Sequence, residues 1–239
     1  MLLCTKNRPG FYLDALILLL FSIPFSVAGQ KDSIPAVSVS ANLDLVSRYV
    51  WRGMDIGNTP NAQPDLSASW KGFTLGSWGS YNLSGKGGQE TDFYCSKSID
   101  FLTVSVFDYW NYGDSTASDF FDYNEKSTAH VLESQLLFSG GEWLPFNFLA
   151  SYFFYGADTS KSIYLELQYN HSSKQGDLLI FAGYQASGNY YGDKKAFVNV
   201  GCTFTKSIPI TDCFLLPLNL SLVVNPSAKS AYLVAGISL

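Results

Sequence analysis

The chain has 239 residues, of which 47% are hydrophobic, 16% aromatic and only 15% charged, against roughly 25% charged in an average soluble domain. Its 15 basic and 20 acidic side chains leave a net charge of −5, which argues against a protein that neutralises nucleic-acid phosphates with a basic face. The 18 Phe, 15 Tyr and 5 Trp exclude a disordered chain, and no stretch of about 18 apolar residues follows the leader, which argues against a helical membrane protein.

The first predicted element is that leader. Residues 1–29 carry Lys6 and Arg8, continue through an apolar run from Leu16 to Val27 that Pro24 interrupts, and close on Ala28 and Gly29. This is the three-part plan of a secretory signal peptide, too short to span a bilayer comfortably. Cys4 lies ahead of the apolar run and leaves with it. Residues 30–239 then form one domain that keeps 13 basic and 19 acidic side chains. It also keeps Cys95, Cys202 and Cys213, an odd number that cannot pair fully within one chain. A bridge from Cys202 to Cys213 across one predicted turn is open, and packing as free thiols is the plainer reading.

From there a period of two runs to the end of the chain. Val37, Val39, Ala41, Leu43 and Leu45 share one parity, with Ser38, Ser40, Asn42 and Asp44 on the other, as in a strand with one apolar face. Leu66, Ala68 and Trp70 repeat the rhythm, as do Ile163 to Tyr169, the run Ala196, Val198, Val200, Cys202 and Phe204, and finally Ala231 to Leu239. Cutting at Gly, Pro, Asn, Asp and Lys clusters yields twelve segments: 36–52, 63–71, 73–84, 90–97, 101–112, 128–139, 146–156, 162–171, 178–187, 195–205, 214–224 and 230–239. Most have about the 9 to 11 residues of a tilted membrane-crossing strand. Tight connections such as Lys71-Gly72 alternate with longer polar and aromatic ones such as 53–62, 113–127 and 188–194.

Charge is sorted along this pattern. Every lysine after the leader falls in a predicted connection or at a strand edge. Arg48 and Arg52 share the parity of Asn42 and Asp44, while Asp65, Glu90, Asp92, Glu133 and Glu166 sit on the faces occupied by Ser, Tyr, Gln and Asn. A cation on a lipid-facing wall near the midplane costs about 2–4 kcal/mol, so a barrel in a membrane should segregate charge in this way. Asp108 is the exception, with the parity of Val104 and Val106, and reads as a strand end or a bulge. The expected fold is therefore all-β: a transmembrane antiparallel up-and-down β-barrel of about twelve strands. A soluble secreted sandwich or barrel would alternate too, but its water-facing side would call for many Lys and Glu where this chain has Ser, Asn, Thr, Gly and Tyr.

The stretch Ala41-Asn-Leu-Asp-Leu-Val-Ser-Arg-Tyr-Val-Trp-Arg-Gly-Met-Asp resembles the opening strand of the TorF-like porin family of Gram-negative outer membranes. Gln63-Pro-Asp-Leu-Ser-Ala-Ser-Trp, Gly72-Phe-Thr-Leu-Gly-Ser-Trp-Gly-Ser and Glu90-Thr-Asp-Phe-Tyr follow in that family's order, so the similarity covers residues 41–113. The resemblance implies an outer-membrane barrel acting as a channel and supplies no substrate. The final residue is Leu239, where outer-membrane barrels commonly end on an aromatic ring.

Nothing marks a catalytic or metal site. His130 and Ser134 share a strand face but stand about 13 Å apart, too far for a nucleophile and its base, and His171 sits near an outer face at a strand end. Asp114, Asp119, Asp122 and Glu125 could offer oxygens to a hard cation, yet their spacing departs from the calcium-loop pattern and a solvated acidic loop is the plainer reading. No enzyme activity, cofactor or metal is expected. The expected function is an outer-membrane channel for small hydrophilic solutes, weakly cation-preferring, whose lumen is lined by Asp44, Arg48, Arg52, Asp65, Glu90, Asp92, Glu133 and Glu166. Its partners would be outer-membrane lipid, the barrel-assembly machinery during insertion and the solutes, with no nucleic acid. A non-conducting structural or adhesive barrel shares the same pattern, and a secreted β-domain binding carbohydrate is the third reading.

Overall fold

The computed structural model describes residues 37–85, 88–113, 119–141 and 144–239. The leader and Asp114 lie outside them. Among the described residues there is no helix. Twelve antiparallel strands close into a barrel in up-and-down order, and a separate two-stranded hairpin interrupts the first connection. The barrel strands are β1 (Ser38–Val46), β4 (Asn61–Trp70), β5 (Phe73–Asn82), β6 (Gln89–Ile99), β7 (Leu102–Tyr112) and β8 (His130–Ser139) in the first half. The second half comprises β9 (Phe146–Gly156), β10 (Ile163–Ser173), β11 (Gly176–Ser187), β12 (Ala196–Thr211), β13 (Phe214–Asn225) and β14 (Ser230–Ser238). The hairpin is β2 (Tyr49–Trp51) and β3 (Met54–Gly57).

Short turns, together with the start of β1 and the end of β14, gather at one end of the barrel, and the longer connections gather at the other. The seam is brief: Asp44, Leu45 and Val46 pair with Ser238, Ile237 and Gly236. It is extended by Leu239 and Leu43 exchanging backbone hydrogen bonds at 2.9 and 3.1 Å. Leu239 therefore completes the closure that the alternation predicts, without an aromatic ring.

The two strand faces separate as the period of two requires. Leu66, Leu75, Phe93, Val104, Leu136, Phe148, Leu167, Ile180, Leu220 and Leu233 all point outward and are exposed, Leu75 by 68%. Inward positions carry Gln63, Asp65, Glu90, Asp92, Glu133, Glu166 and Asn199, mostly buried. The core also lies inside the barrel, in the half nearer the long connections, where Tyr109, Val131, Phe153, Tyr164, Tyr191 and Val198 cluster with Trp51 and Tyr190 packed against them.

Four expectations need correction. The segment 36–52 is not one strand: β1 stops at Val46, the Ser47 hydroxyl accepts a 3.0 Å bond from the Ala235 amide, and the chain then turns inward to bury Tyr49. Val198 does not share the outer face with Val200 and Cys202. A bulge opposite Gly183 and Tyr184 puts Phe197 outside and leaves Val198 fully buried. Asp108 is neither a strand end nor a bulge, since β7 runs in continuous register through Phe93↔Asp108 and Asp108↔Leu132. It faces outward and is matched there by His130 at 2.7 Å. Lys206 lies within β12 rather than beyond it, because β12 and β13 extend past the β10–β11 turn, whose last partner on β12 is Thr205. The cation still sits level with that turn. Cys95, Cys202 and Cys213 are free thiols, so no bridge joins the last two.

Removing the Phe153 ring opens a cavity inside the barrel. We expect Phe153→Ala to cost about 3–5 kcal/mol in urea denaturation of the refolded protein, and the outward-facing Phe148→Ala only a small fraction of that.

Candidate functional site

The first long connection folds into the barrel. Trp51 pairs with Met54, so the hairpin turns on two residues, Arg52 and Gly53, both with positive φ (49° and 78°). This matches the type I′ turn that tight hairpins favour. Glycine is required at the second position. A Cβ on Gly53 would lie 1.8 Å from the Val198 carbonyl oxygen on β12, and the Gly53 carbonyl itself accepts a 3.1 Å bond from Asn225 on β13. The tip is thus seated against β13 and β12, the second and third strands round the wall from β1.

From that tip the Arg52 side chain reaches Glu133 on β8. Nη1 donates to Oε1 and Nη2 to Oε2, the second at 3.0 Å, in the bidentate arrangement that suits guanidinium and carboxylate. Arg52 is 9% exposed and Glu133 not at all. Burial of two such charges is tolerable only with further hydrogen bonds, and these are present. Arg52 also donates to the Tyr191 hydroxyl, and Glu133 accepts from Tyr109 at 2.6 Å and from Gln135 at 2.5 Å. The guanidinium lies 4.6 Å from the Trp51 ring centroid and 4.5 Å from that of Tyr164, within cation–π range of both. Gln185 holds Tyr191 in place. Its side chain donates to the carbonyls of Gly192 and Lys194 at 2.6 and 3.0 Å and accepts from the Tyr191 amide at 2.8 Å.

Between the hairpin and the turn end lies a cavity of about 530 Å³. Tyr49, Val50, Trp51 and Arg52 roof it, and Asp65, Trp78, Asp92, Tyr94, Phe107, Gln135, Glu166 and Asn199 contribute to its walls. Tyr94 fits because Gly76 lies beneath it: a Cβ there would meet the ring at 2.3 Å. Tyr94 donates to Asp65 at 3.0 Å. Glu166 accepts from Tyr164, from Asn199 at 2.8 Å and from Gln168 at 2.7 Å. A smaller cavity of about 230 Å³ lies along Arg48, Gln63, Phe181, Thr203 and Ser221.

The eight residues expected to line a lumen are distributed unevenly. Arg52, Asp65, Asp92 and Glu166 meet at the larger cavity, and Glu133 stands behind Arg52. Glu90 is buried and receives a hydrogen bond from Tyr49. Arg48 borders the smaller cavity and pairs with Asp55 at 3.2 Å. Asp44 points inward at the seam, opposite Gln63 and Ser238, away from the others. Arg52 reaches the lumen from the hairpin and not from a barrel strand. Sequence reasoning missed Tyr49, Trp51, Gln185, Tyr191 and Gly53. The signal that could have found the hairpin was Arg52-Gly53 inside a run of alternating residues, a two-residue turn read as strand.

The outward cluster around Asp108 is a separate feature. His130 Nδ1 meets Asp108 at 2.7 Å, its Nε2 meets the Phe120 carbonyl at 2.8 Å, and Tyr123 donates to Asp108 at 2.6 Å. Burial and that bond to Asp108 push the Tyr123 phenol up to about 12. Both His130 nitrogens are therefore engaged, and the Ser134 hydroxyl donates elsewhere, to the Tyr152 carbonyl at 3.4 Å. Asp119 and Asp122 accept backbone amides of their own loop, and among the described residues no His, Cys, Asp and Glu group is placed to hold a metal ion.

Fold and site together define a class: a closed twelve-stranded up-and-down barrel whose first long connection enters its own lumen. The chain belongs to the family described as "Bacterial protein of unknown function (Gcw_chp)", whose model matches residues 30–212. That description names neither TorF nor a porin. No curated protein and no solved structure matches the chain.

Glu133→Gln leaves the Arg52 charge buried with half its pairing lost, and should cost about 3–5 kcal/mol in equilibrium unfolding. Adding Arg52→Met should recover most of that loss, giving a coupling energy above about 1 kcal/mol in the double-mutant cycle.

Proposed function

We propose that this protein is an outer-membrane β-barrel of a Gram-negative bacterium, delivered by its leader, acting as a narrow channel for small hydrophilic solutes. The observation that carries the proposal is a closed barrel with an apolar outer wall around a polar cavity. Leu66, Leu75, Phe93, Val104, Leu167, Ile180, Leu222 and Leu233 stand exposed around that wall, where a water-soluble surface would be charged. Lys97 and Lys206, the cations nearest the apolar band, lie level with turns at one end. Lys97 pairs opposite Phe73 and donates to the Lys71 carbonyl at 2.6 Å. Cations belong at the boundary of a bilayer and not at its middle. An even number of strands, short turns beside the start of β1 and the end of β14, and long connections opposite follow the plan of such barrels. The barrel-assembly machinery and outer-membrane lipid are then its partners, and the TorF-like resemblance implies the same location.

The hairpin narrows the passage, and the Arg52–Glu133 pair cancels its own charge. The remaining carboxylates Asp65, Asp92 and Glu166 give the lumen a weak preference for cations. The same hairpin favours a second reading, in which the barrel is sealed and its long connections bind a partner. In planar bilayers we expect small, weakly cation-selective conductance from the wild type and conductance several-fold larger when residues 49–57 are replaced by a short Gly-Ser link. A silent wild type with a conducting deletion supports the sealed barrel, and silence from both, or anion selectivity, overturns the channel. Recovery of the protein free of membrane, with no detergent needed to keep it soluble, would overturn both.

A further inference from the structure

The charges around the larger cavity do not balance. Its ionisable walls are Arg52, Asp65, Asp92 and Glu166. Arg52 is neutralised by Glu133, which leaves three carboxylates facing one enclosed space without a cation. Asp65 and Glu166 are served by neutral donors, the Tyr94 hydroxyl for the first and Tyr164, Asn199 and Gln168 for the second. Asp92 is only 4% exposed and takes a backbone hydrogen bond from Trp110, but its Oδ1 has no partner in the protein. A buried carboxylate oxygen without a donor is costly, and the residue that carries it lines a space large enough to hold a cation.

The rest of the wall specifies what kind of cation. Trp78, Tyr94 and Phe107 face the same cavity, beside Tyr49 and Trp51 of the hairpin. Such rings attract an organic cation through their faces and give nothing to a strongly hydrated metal ion, which needs six or more oxygens in its shell. The roof already illustrates this recognition, since the Arg52 guanidinium lies against Trp51 and Tyr164 while a carboxylate holds its edge.

We propose that the cavity beneath the hairpin is a binding site for a small organic cation of the alkylammonium class. Its ammonium group is held among the carboxyl groups of Asp92, Asp65 and Glu166, and its carbon chain lies against Trp78 and Tyr94. The site deepens the channel reading by naming the solute class, and it rests on that reading only for how the ligand arrives. Binding is therefore measured apart from conduction.

Titration calorimetry on the refolded barrel in a neutral detergent, with n-butylammonium chloride as probe, should give saturable binding. n-Butanol, of the same shape without charge, should bind at least about ten-fold more weakly, and Asp92→Asn should weaken n-butylammonium by about ten-fold or more. Asp65→Asn is the second variant and should weaken it by a smaller factor, so the proposal stays testable if Asp92→Asn does not fold. No saturable binding to the wild type, equal binding of the alcohol, or unaltered affinity in the variant that folds would each overturn it. A barrel that binds n-butylammonium but does not conduct overturns the channel and keeps the site, and one that conducts without binding does the reverse.

Discussion

The pairing of Arg52 with Glu133 sets the course of the first long connection, and much of the upper lumen is organised around it. A buried ion pair contributes little net stability, because desolvation of both charges offsets most of their attraction. Its effect is on position. With the hairpin turned outward, Glu133 would remain on β8 as a carboxylate inside the barrel without a counter-charge. With the hairpin inward, Arg52, Tyr109 and Gln135 all donate to it. The inward placement of residues 47–60 is the one that gives that carboxylate its counter-charge.

Irregularities in the neighbouring strands follow from the same constraint. Register shifts occur beside Glu133 on β8, Tyr164 on β10 and Gly183 on β11, the positions that meet the hairpin and the cluster beneath Tyr191. The shift beside Gly183 turns a side chain, Val198, into the lumen that strict alternation would have placed outside. The Val198 carbonyl then becomes the wall against which Gly53 rests. The long connection through Tyr190 and Tyr191 closes over the hairpin from the opposite side, with Phe153 and Trp51 packed between.

Charge is handled differently on the two faces of the wall. Inside, carboxylates outnumber cations and are met by tyrosine, glutamine and asparagine. Outside, Asp108, the single acid in the apolar parity among the described residues, is covered by His130 and Tyr123, and Phe120 packs over the Trp110 ring next to it. Phe120 and Tyr123 of the β7–β8 connection lie against the outer wall, while the first connection and the one through Tyr191 enter the lumen. The difference follows from where a partner waits: Glu133 inside for Arg52, Asp108 outside for Tyr123.

Alternation by itself determined the barrel, because a strand with one apolar face must place every second side chain on the same side whatever its neighbours are. The boundaries of β9, β13 and β14 lie within a residue of those read from the pattern, and Asp65, Glu90, Asp92, Glu133 and Glu166 point inward as their parity requires. Membership of a bacterial family without assigned function adds no chemistry to that. What alternation could not express was any event that ends or shifts a strand. Arg52 has the expected parity yet belongs to a hairpin, because two residues of positive φ leave the pattern of apolar and polar side chains intact while reversing the chain. Val198 keeps its place in the count but loses its face to a bulge. The partner of Arg52, the burial of Gln185 and the cavity under Tyr49 were decided by tertiary structure alone, since they join residues from strands all round the barrel whose closeness depends on how the sheet closes, and no local spacing records that.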